Sequence, residues 1–427
     1  MPRNRQENPL RFLYTLLFYL LLPVIMVRLL WRARFSREYP YRFRERFGFC
    51  RQRLNDCICI HAVSLGETIA ATPLIQALLK NFPDKKIVVT NTTATGVART
   101  IAVFGDRVEQ ICLPYDMPGA VKRFLDRIKP RIFILMETEL WPNLLAECHK
   151  RKIPVILANA RLSEKSFCGY QSVGSLTKEM LASISLLATQ GEADKNRFLK
   201  LGMPIERIHV AGSLKFDLTV PENLISLGIE FRKTFGDRFI WIAASTHSGE
   251  DEIMLVAHTA LRKKNPHALL ILVPRHPERF DSVASLIQQH RFTFLRRSEN
   301  KIGNEQSAVY LADTVGEMML MYAACDVACV AGSFVTVGGH NMIESAALKK
   351  PVIMGPSLFN FAEIGSAMIE AGGLIQVKNA VELADELIHF MEDEKFRLDV
   401  GNKGYSVVLK NQGALQRLMK LIELTIK

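Results

Sequence analysis

A glutamate that follows a strand and opens a helix can take a proton from an attacking hydroxyl, or it can simply complement the helix dipole. The string His61-Ala62-Val63-Ser64-Leu65-Gly66-Glu67 offers one, because it runs from an apolar stretch straight into the helical pattern of Thr68 to Leu79. A second string, Met136-Glu137-Thr138-Glu139-Leu140-Trp141-Pro142-Asn143, brings two carboxylates and an indole to another strand end. Glu137 or Glu139 can orient a sugar or its partner base, and the string lacks the Asp-x-Asp that would make it a metal motif. Gly212-Ser213-Leu214-Lys215-Phe216-Asp217 adds Lys215, which can meet phosphate or carboxylate charge or stand solvated in a linker.

The carboxy-terminal half is equipped differently. Ala243-Ala244-Ser245-Thr246-His247-Ser248-Gly249-Glu250 joins hydroxyls to a helix start and suits an anion. Val273-Pro274-Arg275-His276-Pro277-Glu278-Arg279-Phe280 is a rigid turn after an apolar strand, with Arg275 as a phosphate or carboxylate ligand. Asp313-Thr314-Val315-Gly316-Glu317-Met318 reads as a helix cap, either ordinary or set against a nucleotide. Gly332-Ser333-Phe334, followed by Gly338-Gly339-His340-Asn341-Met342-Ile343-Glu344, is the most informative stretch. Its paired glycines let backbone approach a phosphate, and Glu344, one turn into a helix, can accept hydrogen bonds from ribose hydroxyls; a purely structural glycine turn is the competing reading.

Strands alternating with helices must hold these strings in place. Short β-branched runs fall at Cys57 to Ala62, Lys86 to Thr90, Glu109 to Leu113, Arg131 to Met136, Pro154 to Ala158, Leu186 to Gln190 and Arg207 to Ala211. After a less apolar linker near Leu218 to Leu227 a second series follows: Phe239 to Ala244, Ala268 to Val273, Ala308 to Leu311, Asp326 to Ala331, Pro351 to Met354 and Gly373 to Val377. Continuous apolar strands separated by helical patterns predict two parallel doubly wound sheets, with ligands at the carboxyl ends of the strands. Neither half carries a G-x-G-x-x-G fingerprint or a Walker A loop. The expected fold is therefore α/β of the glycosyltransferase type B kind, two Rossmann-like domains with a cleft between them.

Charge is distributed very unevenly. Residues 1 to 54 hold twelve arginines, no lysine and three glutamates, so +9 of the net +12 lies there and +3 is left for the body. A nearly neutral body without RNA motifs argues against nucleic acid as a partner. Phe12 to Val27 carries no charge and Pro23 interrupts it, which predicts a membrane-anchor helix, spanning in preference to interfacial. No small-residue cleavage site follows; Arg32, Arg34, Arg37, Arg42, Arg44 and Arg46 come next and keep the body in the cytoplasm by the positive-inside rule. The same arginines, interleaved with Tyr39, Tyr41, Phe43, Phe47 and Phe49, either meet anionic headgroups or serve only as that topology signal. The eight scattered cysteines read as free buried thiols in a reducing compartment, and Cys57-x-Cys59 lacks a second pair at metal-ligand spacing. No metal site is expected. The domain expectation is an anchor at 1–34, a basic segment at 35–55, an acceptor domain at 56–220 and a donor domain at 221–427 whose last helix can pack back on the first domain.

The strings HAVSLGET, METELWPNL, KRKIPV, LANARLS, GSLKFD, ILVPRHPERF, GGHN and NQGALQ, in this order from about His61 to Gln416, resemble the family of 3-deoxy-D-manno-octulosonic acid (Kdo) transferases that act on lipid A precursors. The resemblance covers both halves and the amino-terminal anchor. It implies an inverting, metal-independent transfer of Kdo from CMP-Kdo to the 6′-hydroxyl of the lipid A disaccharide precursor at the inner membrane, with no cofactor beyond the donor. On the matching positions it implies Glu67 as general base, Glu137 and Lys215 as transition-state stabilisers, and CMP contacts at Pro274, Arg275, Gly316, Glu317, Met318, Asn341, Met342, Ile343 and Glu344. Where many members read Asn-Pro-Leu-Glu, this chain has Asn341-Met342-Ile343-Glu344, so its turn differs while both polar ends are kept. Two other readings stand beside it: another type B transferase or a UDP-sugar epimerase of the same fold, against which the apolar anchor speaks, and a membrane-tethered lipid- or nucleotide-binding protein without turnover, against which Glu67 and Lys215 speak.

Overall fold

The structure is a computed structural model that describes residues 8–33, 42–218, 220–299 and 307–426, without the side chains of 28–33. Arg28, Arg32, Arg34, Arg37, Tyr39 and Tyr41 of the basic segment therefore lie outside the described side chains. The chain divides into two compact units, Met1–Asp217 with Gln412–Lys427, and Leu218–Asn411.

Seven parallel strands build the first unit: β1 Cys57–His61, β2 Ile87–Asn91, β3 Glu109–Cys112, β4 Pro130–Met136, β5 Val155–Ala160, β6 Leu186–Thr189 and β7 Ile208–Val210. Their order is β3-β2-β1-β4-β5-β6-β7. The sheet reverses its direction of growth between β1 and β4, and that switch point is where an open α/β sheet leaves a crevice at its carboxyl edge. β1, β2 and β5 are buried along their whole length, because helices cover both faces. One face packs Phe124, Phe133 and Phe198; the other packs Ile58, Ile60, Leu74 and Ile75, and is closed by the carboxy-terminal helix Ala414–Ile426 through Leu418 and Ile422. Asp217 ties that helix down by accepting from Gly413 N–H at 2.5 Å and from Leu415 N–H.

The second unit repeats the plan with β8 Ile240–Thr246, β9 Leu269–Pro274, β10 Phe294–Arg296, β11 Val309–Leu311, β12 Val327–Val330, β13 Val352–Met354 and β14 Leu374–Gln376, all parallel, in the order β10-β11-β9-β8-β12-β13-β14. Its switch point lies between β8 and β12. Thirteen of these fourteen strands coincide with the runs read from sequence. β10 was not among them, because its three residues are only half-buried at a sheet edge and do not form an apolar run. The stretch read as a linker also contains a helix, Leu224–Lys233; Gly228 lies so close to Ala323 that a Cβ there would stand 2.3 Å from the Ala323 Cβ. Helix packing, rather than a continuous apolar stripe, makes that segment part of the fold.

The amino-terminal helix spans Pro9–Ala33, with Asn8 accepting from Leu10 N–H at 3.0 Å. Its 19 residues Pro9–Val27 are apolar enough to cross a membrane by length and composition. One side of its first half is docked on the first unit: Arg11 pairs with Glu179 at 3.1 Å, Thr15 hydrogen-bonds Asn143 and Phe18 meets the Tyr115 ring. The other side exposes Phe12, Leu13, Leu16, Leu17, Leu20, Leu21, Val24 and Val27. Part of the adjoining basic-aromatic segment turns inward. Arg46 is buried and donates to Thr92 O at 2.9 Å, Arg42 reaches Gln110 O, and Phe49 lies under the Arg123 guanidinium. Arg44 is the exposed arginine of this trio; of the alternatives left open, headgroup contact stays with Arg44, while Arg42 and Arg46 support the fold.

Candidate active site

At the switch point of the first unit, Ser64 caps the helix Leu65–Asn81 by accepting from Glu67 N–H at 3.4 Å. The Glu67 carboxylate folds back, accepting from Val63 N–H at 2.8 Å and from the Ser64 hydroxyl at 3.0 Å. This is the reciprocal capping arrangement that Ser-x-x-Glu encodes. Glu67 is held by these two bonds in the first turn of the helix that follows β1, half-buried. Burial raises its pKa, the Val63 and Ser64 donors pull it down, and Glu137 raises it again.

Glu137 follows β4 with φ of 56°, a left-handed conformation that costs a non-glycine residue about 1 kcal/mol or more. Its N–H is fixed to Ala158 O at 2.9 Å, and the turn it makes is anchored by Thr138 to Arg161 O. Glu139 is pushed up to about 7 by burial, with Glu67 and Glu137 adding to the rise. Three carboxylates thus share one electrostatic neighbourhood. Lys215 answers them. The turn that carries it is held by Asn159, whose side-chain oxygen accepts from Leu214 N–H at 3.1 Å. Lys215 is half-buried rather than solvated, its pKa lowered by burial, with Glu137 offsetting that and Arg161 reinforcing it. Asn159 and Arg161 escaped sequence reasoning; the signal was the LANARLS string, which has no chemical spacing of its own.

The second unit places its residues around its own switch point. β9 ends at Pro274, and Arg275 beside it is exposed, with N–H bonded to Thr246 O at 3.0 Å and no ion pair among the described residues. Asn341 donates to Glu344 at 3.1 Å, and Glu344 has its pKa raised by burial, with Asn341 and Arg275 pulling it down. Met342 and Ile343 are fully buried, so they can offer a ligand only backbone. Gly316 takes φ of 93° with open space on its Cβ side, and Glu317 is held by Arg297 in a two-pronged ion pair of 2.7 and 3.0 Å and by Thr314. Asp313 does not cap the helix Met318–Ala324; it takes Arg296 at 2.7 Å and Ser298 at 2.6 Å instead.

The anion-site reading of the Ser245 to Glu250 string is corrected in its details. The Thr246 hydroxyl is spent on Asp251 at 2.6 Å, and Asp251 is paired with Arg279. The helix start receives the chain's own Glu250, wholly buried, which accepts from His247 N–H at 2.9 Å, Gly332 N–H at 2.8 Å and Phe334 N–H at 3.0 Å. Glu250 fastens the loop after β8 to the loop after β12, a role visible only once the two loops are neighbours. Among the described residues no three His, Cys, Asp or Glu side chains are grouped to hold a metal ion.

Two parallel seven-stranded α/β units, each with its switch point at the carboxyl edge of the sheet, have the type B glycosyltransferase fold. Solved structures of this fold include the UDP-GlcNAc 2-epimerase of Neisseria meningitidis (TM-score 0.57, 15% identity, 86% of this chain and 100% of that one) and a glycosyltransferase of Rickettsia africae (TM-score 0.54, 14% identity, 87% and 98%). Residues 41–218 match the 3-deoxy-D-manno-octulosonic-acid transferase (kdotransferase) family, and residues 237–407 match the glycosyl transferases of group 1. The 3-deoxy-D-manno-octulosonic acid transferase of Haemophilus influenzae is 42% identical over 420 residues, 97% of this chain and 98% of that one. That of Bordetella pertussis is 36% identical over 97% and 99%. The chain belongs to the Kdo transferase family and is a glycosyltransferase.

Proposed function

We propose that the chain transfers Kdo from CMP-Kdo to a hydroxyl of the lipid A precursor disaccharide, with inversion, without a metal, at the cytoplasmic face of the inner membrane. The observation that carries this reading is the coupled group of Glu67, Glu137, Glu139 and Lys215 at the first switch point. The acceptor hydroxyl oxygen attacks the anomeric carbon of Kdo and its proton passes to the Glu67 carboxylate. The bond from that carbon to the CMP phosphate oxygen breaks, and its electron pair leaves with CMP. A single displacement of this kind inverts the anomeric centre. Burial and the Glu137 charge bring the Glu67 basicity toward that of a working general base, against the two donors that hold it in place. Glu137 and Lys215 stabilise the developing charge, and Arg275, Asn341 and Glu344 receive the nucleotide.

The amino-terminal helix supports attachment to the membrane. Arg11, Thr15 and Phe18 dock one side of its first half on the first unit. Its exposed apolar face suits burial at the headgroup boundary. Mass spectrometry of lipid A precursor incubated with the full chain and CMP-Kdo tests the function. One or more Kdo masses added to the precursor is the expected result; an unaltered precursor overturns it, and epimerisation of a UDP-sugar in its place would favour the epimerase reading.

A further inference from the structure

Two histidines face each other at the second switch point. His247 follows β8, where Ser245 takes φ of 61° and the β8–β9 register slips between Ala244 and Thr246, turning the chain outward. His340 sits on the loop after β12. Their Nε2 atoms are 2.7 Å apart, with rings 11° from parallel. The contact is built rather than incidental. Glu250 binds both loops, Gly339 N–H bonds Gly332 O at 2.7 Å, and a Cβ on Gly332, which has φ of 73°, would stand 2.7 Å from the His340 ring.

An Nε2–Nε2 contact of that length admits one proton between the rings. The neutral pair therefore has one ring donating through Nε2 and the other accepting, with one outer Nδ1 protonated. A single added proton goes to the remaining Nδ1, making a shared cation whose two outer N–H groups both donate. A second added proton would set two N–H groups against each other and break the contact, so the pair takes up one proton and no more.

The groups around it set when that happens. His247 is faced by Glu250, which favours its charged form, and by His276, Arg279 and Arg275, which oppose it; His340 is faced by Arg275, His247 and His276. The His276 ring stands edge-on to His247 at 5.3 Å. Burial is the largest cause for both, and it holds His340 down to about 4, so the protein by itself keeps the pair neutral at pH 7. An anion beside Arg275 reverses the balance, since it offsets the arginine and rewards a second positive charge.

Resting on the reading of this switch point as the nucleotide-sugar site, we propose that the His247–His340 pair is a charge-compensating element of the donor site that takes up one proton as the anionic donor binds. Arg275 supplies one fixed positive charge, while CMP-Kdo brings a phosphodiester and a carboxylate. The pair supplies the second charge only when the ligand is present. After transfer it stands beside the phosphate of CMP, whose charge has grown, and stabilises that leaving group.

The test is calorimetric titration of the full chain in detergent with CMP, in buffers of different ionisation heat, from pH 6 to 8.5. The wild type is expected to take up a substantial fraction of one proton near pH 7, beyond that of His340→Gln, with an extra fall in affinity of up to about tenfold per pH unit. The phosphate's own titration is common to both chains and cancels. Glutamine keeps a hydrogen-bonding amide but cannot titrate, so a merely structural pair would leave proton uptake unaltered. Equal uptake in the wild type and the variant overturns the proposal. If His340→Gln does not fold, His247→Gln on the other loop carries the same comparison. Failure of the wild type to bind CMP at all would instead overturn the donor-site reading, and this proposal with it.

Discussion

The two units have the same sheet plan and opposite chemistry at the same place. Each switch point uses a left-handed non-glycine residue to turn a strand end, Glu137 after β4 and Ser245 in β8. The first gathers three carboxylates around one lysine, with pKa values of Glu67 and Glu139 raised by burial. The second gathers Arg275, three histidines and glycines, and its one fully buried strand-end glutamate, Glu250, is consumed by three backbone N–H groups. A proton acceptor and an anion receiver can therefore be made from one scaffold by changing the side chains at the carboxyl edge. The sheet supplies the place, and the loops supply the sign of the charge.

Replacing the proposed base should break the comparison most severely. Glu67→Gln is expected to lower turnover about 10²- to 10⁴-fold at saturating substrates, with a folded chain. Glutamine can still accept from Val63 N–H while its amide donates to the Ser64 hydroxyl, so the cap survives. Turnover within a few-fold of the wild type would leave Glu67 as a helix-start residue, worth at most about 1 kcal/mol, and move the base to Glu137 or Glu139.

A smaller effect is expected on the other side. Glu344→Ala should weaken CMP binding about tenfold, roughly 1.4 kcal/mol, and leave the KM for the acceptor unaltered. Unchanged CMP affinity in a folded variant removes Glu344 from the nucleotide site.

The smallest effect separates burial from chemistry. Glu139 has a folded pKa of about 7 against an ordinary 4.5, so the native state holds its proton where the unfolded chain has released it. Its contribution is present in full below about pH 4.5 and is lost as pH rises toward 7, so the wild type should lose stability across that window. Glu139→Gln should flatten the profile and raise the melting temperature at pH 8 by roughly 2–4 °C, about 1 kcal/mol after allowing for partial exposure. A pH profile parallel to that of the wild type would mean that Glu139 titrates normally.

Much of this protein was legible along the chain. Buried parallel strands must be apolar throughout, so runs such as Ile58–Ile60 and Ile240–Ala244 announced themselves, and the two doubly wound sheets followed from their alternation with helices. The strings at strand ends marked both switch points for the same reason: chemistry in this fold collects where β1, β4, β8 and β12 stop. The long apolar amino-terminal helix declared itself by length and lack of charge. Tertiary structure decided the rest, because it depends on which loops become neighbours. β10 is too short and too incompletely buried to show a pattern. Lys215 looked like a linker lysine until Asn159, 56 positions earlier, fixed its turn. Arg46, in a run that reads as headgroup-facing, is buried on Thr92. The pairing of His247 with His340 spans 93 positions and is set by one buried glutamate and one glycine. Local spacing encodes what a residue can do within its own strand or helix; whether it titrates, caps or binds depends on desolvation and on partners that only the folded chain brings within about 3 Å.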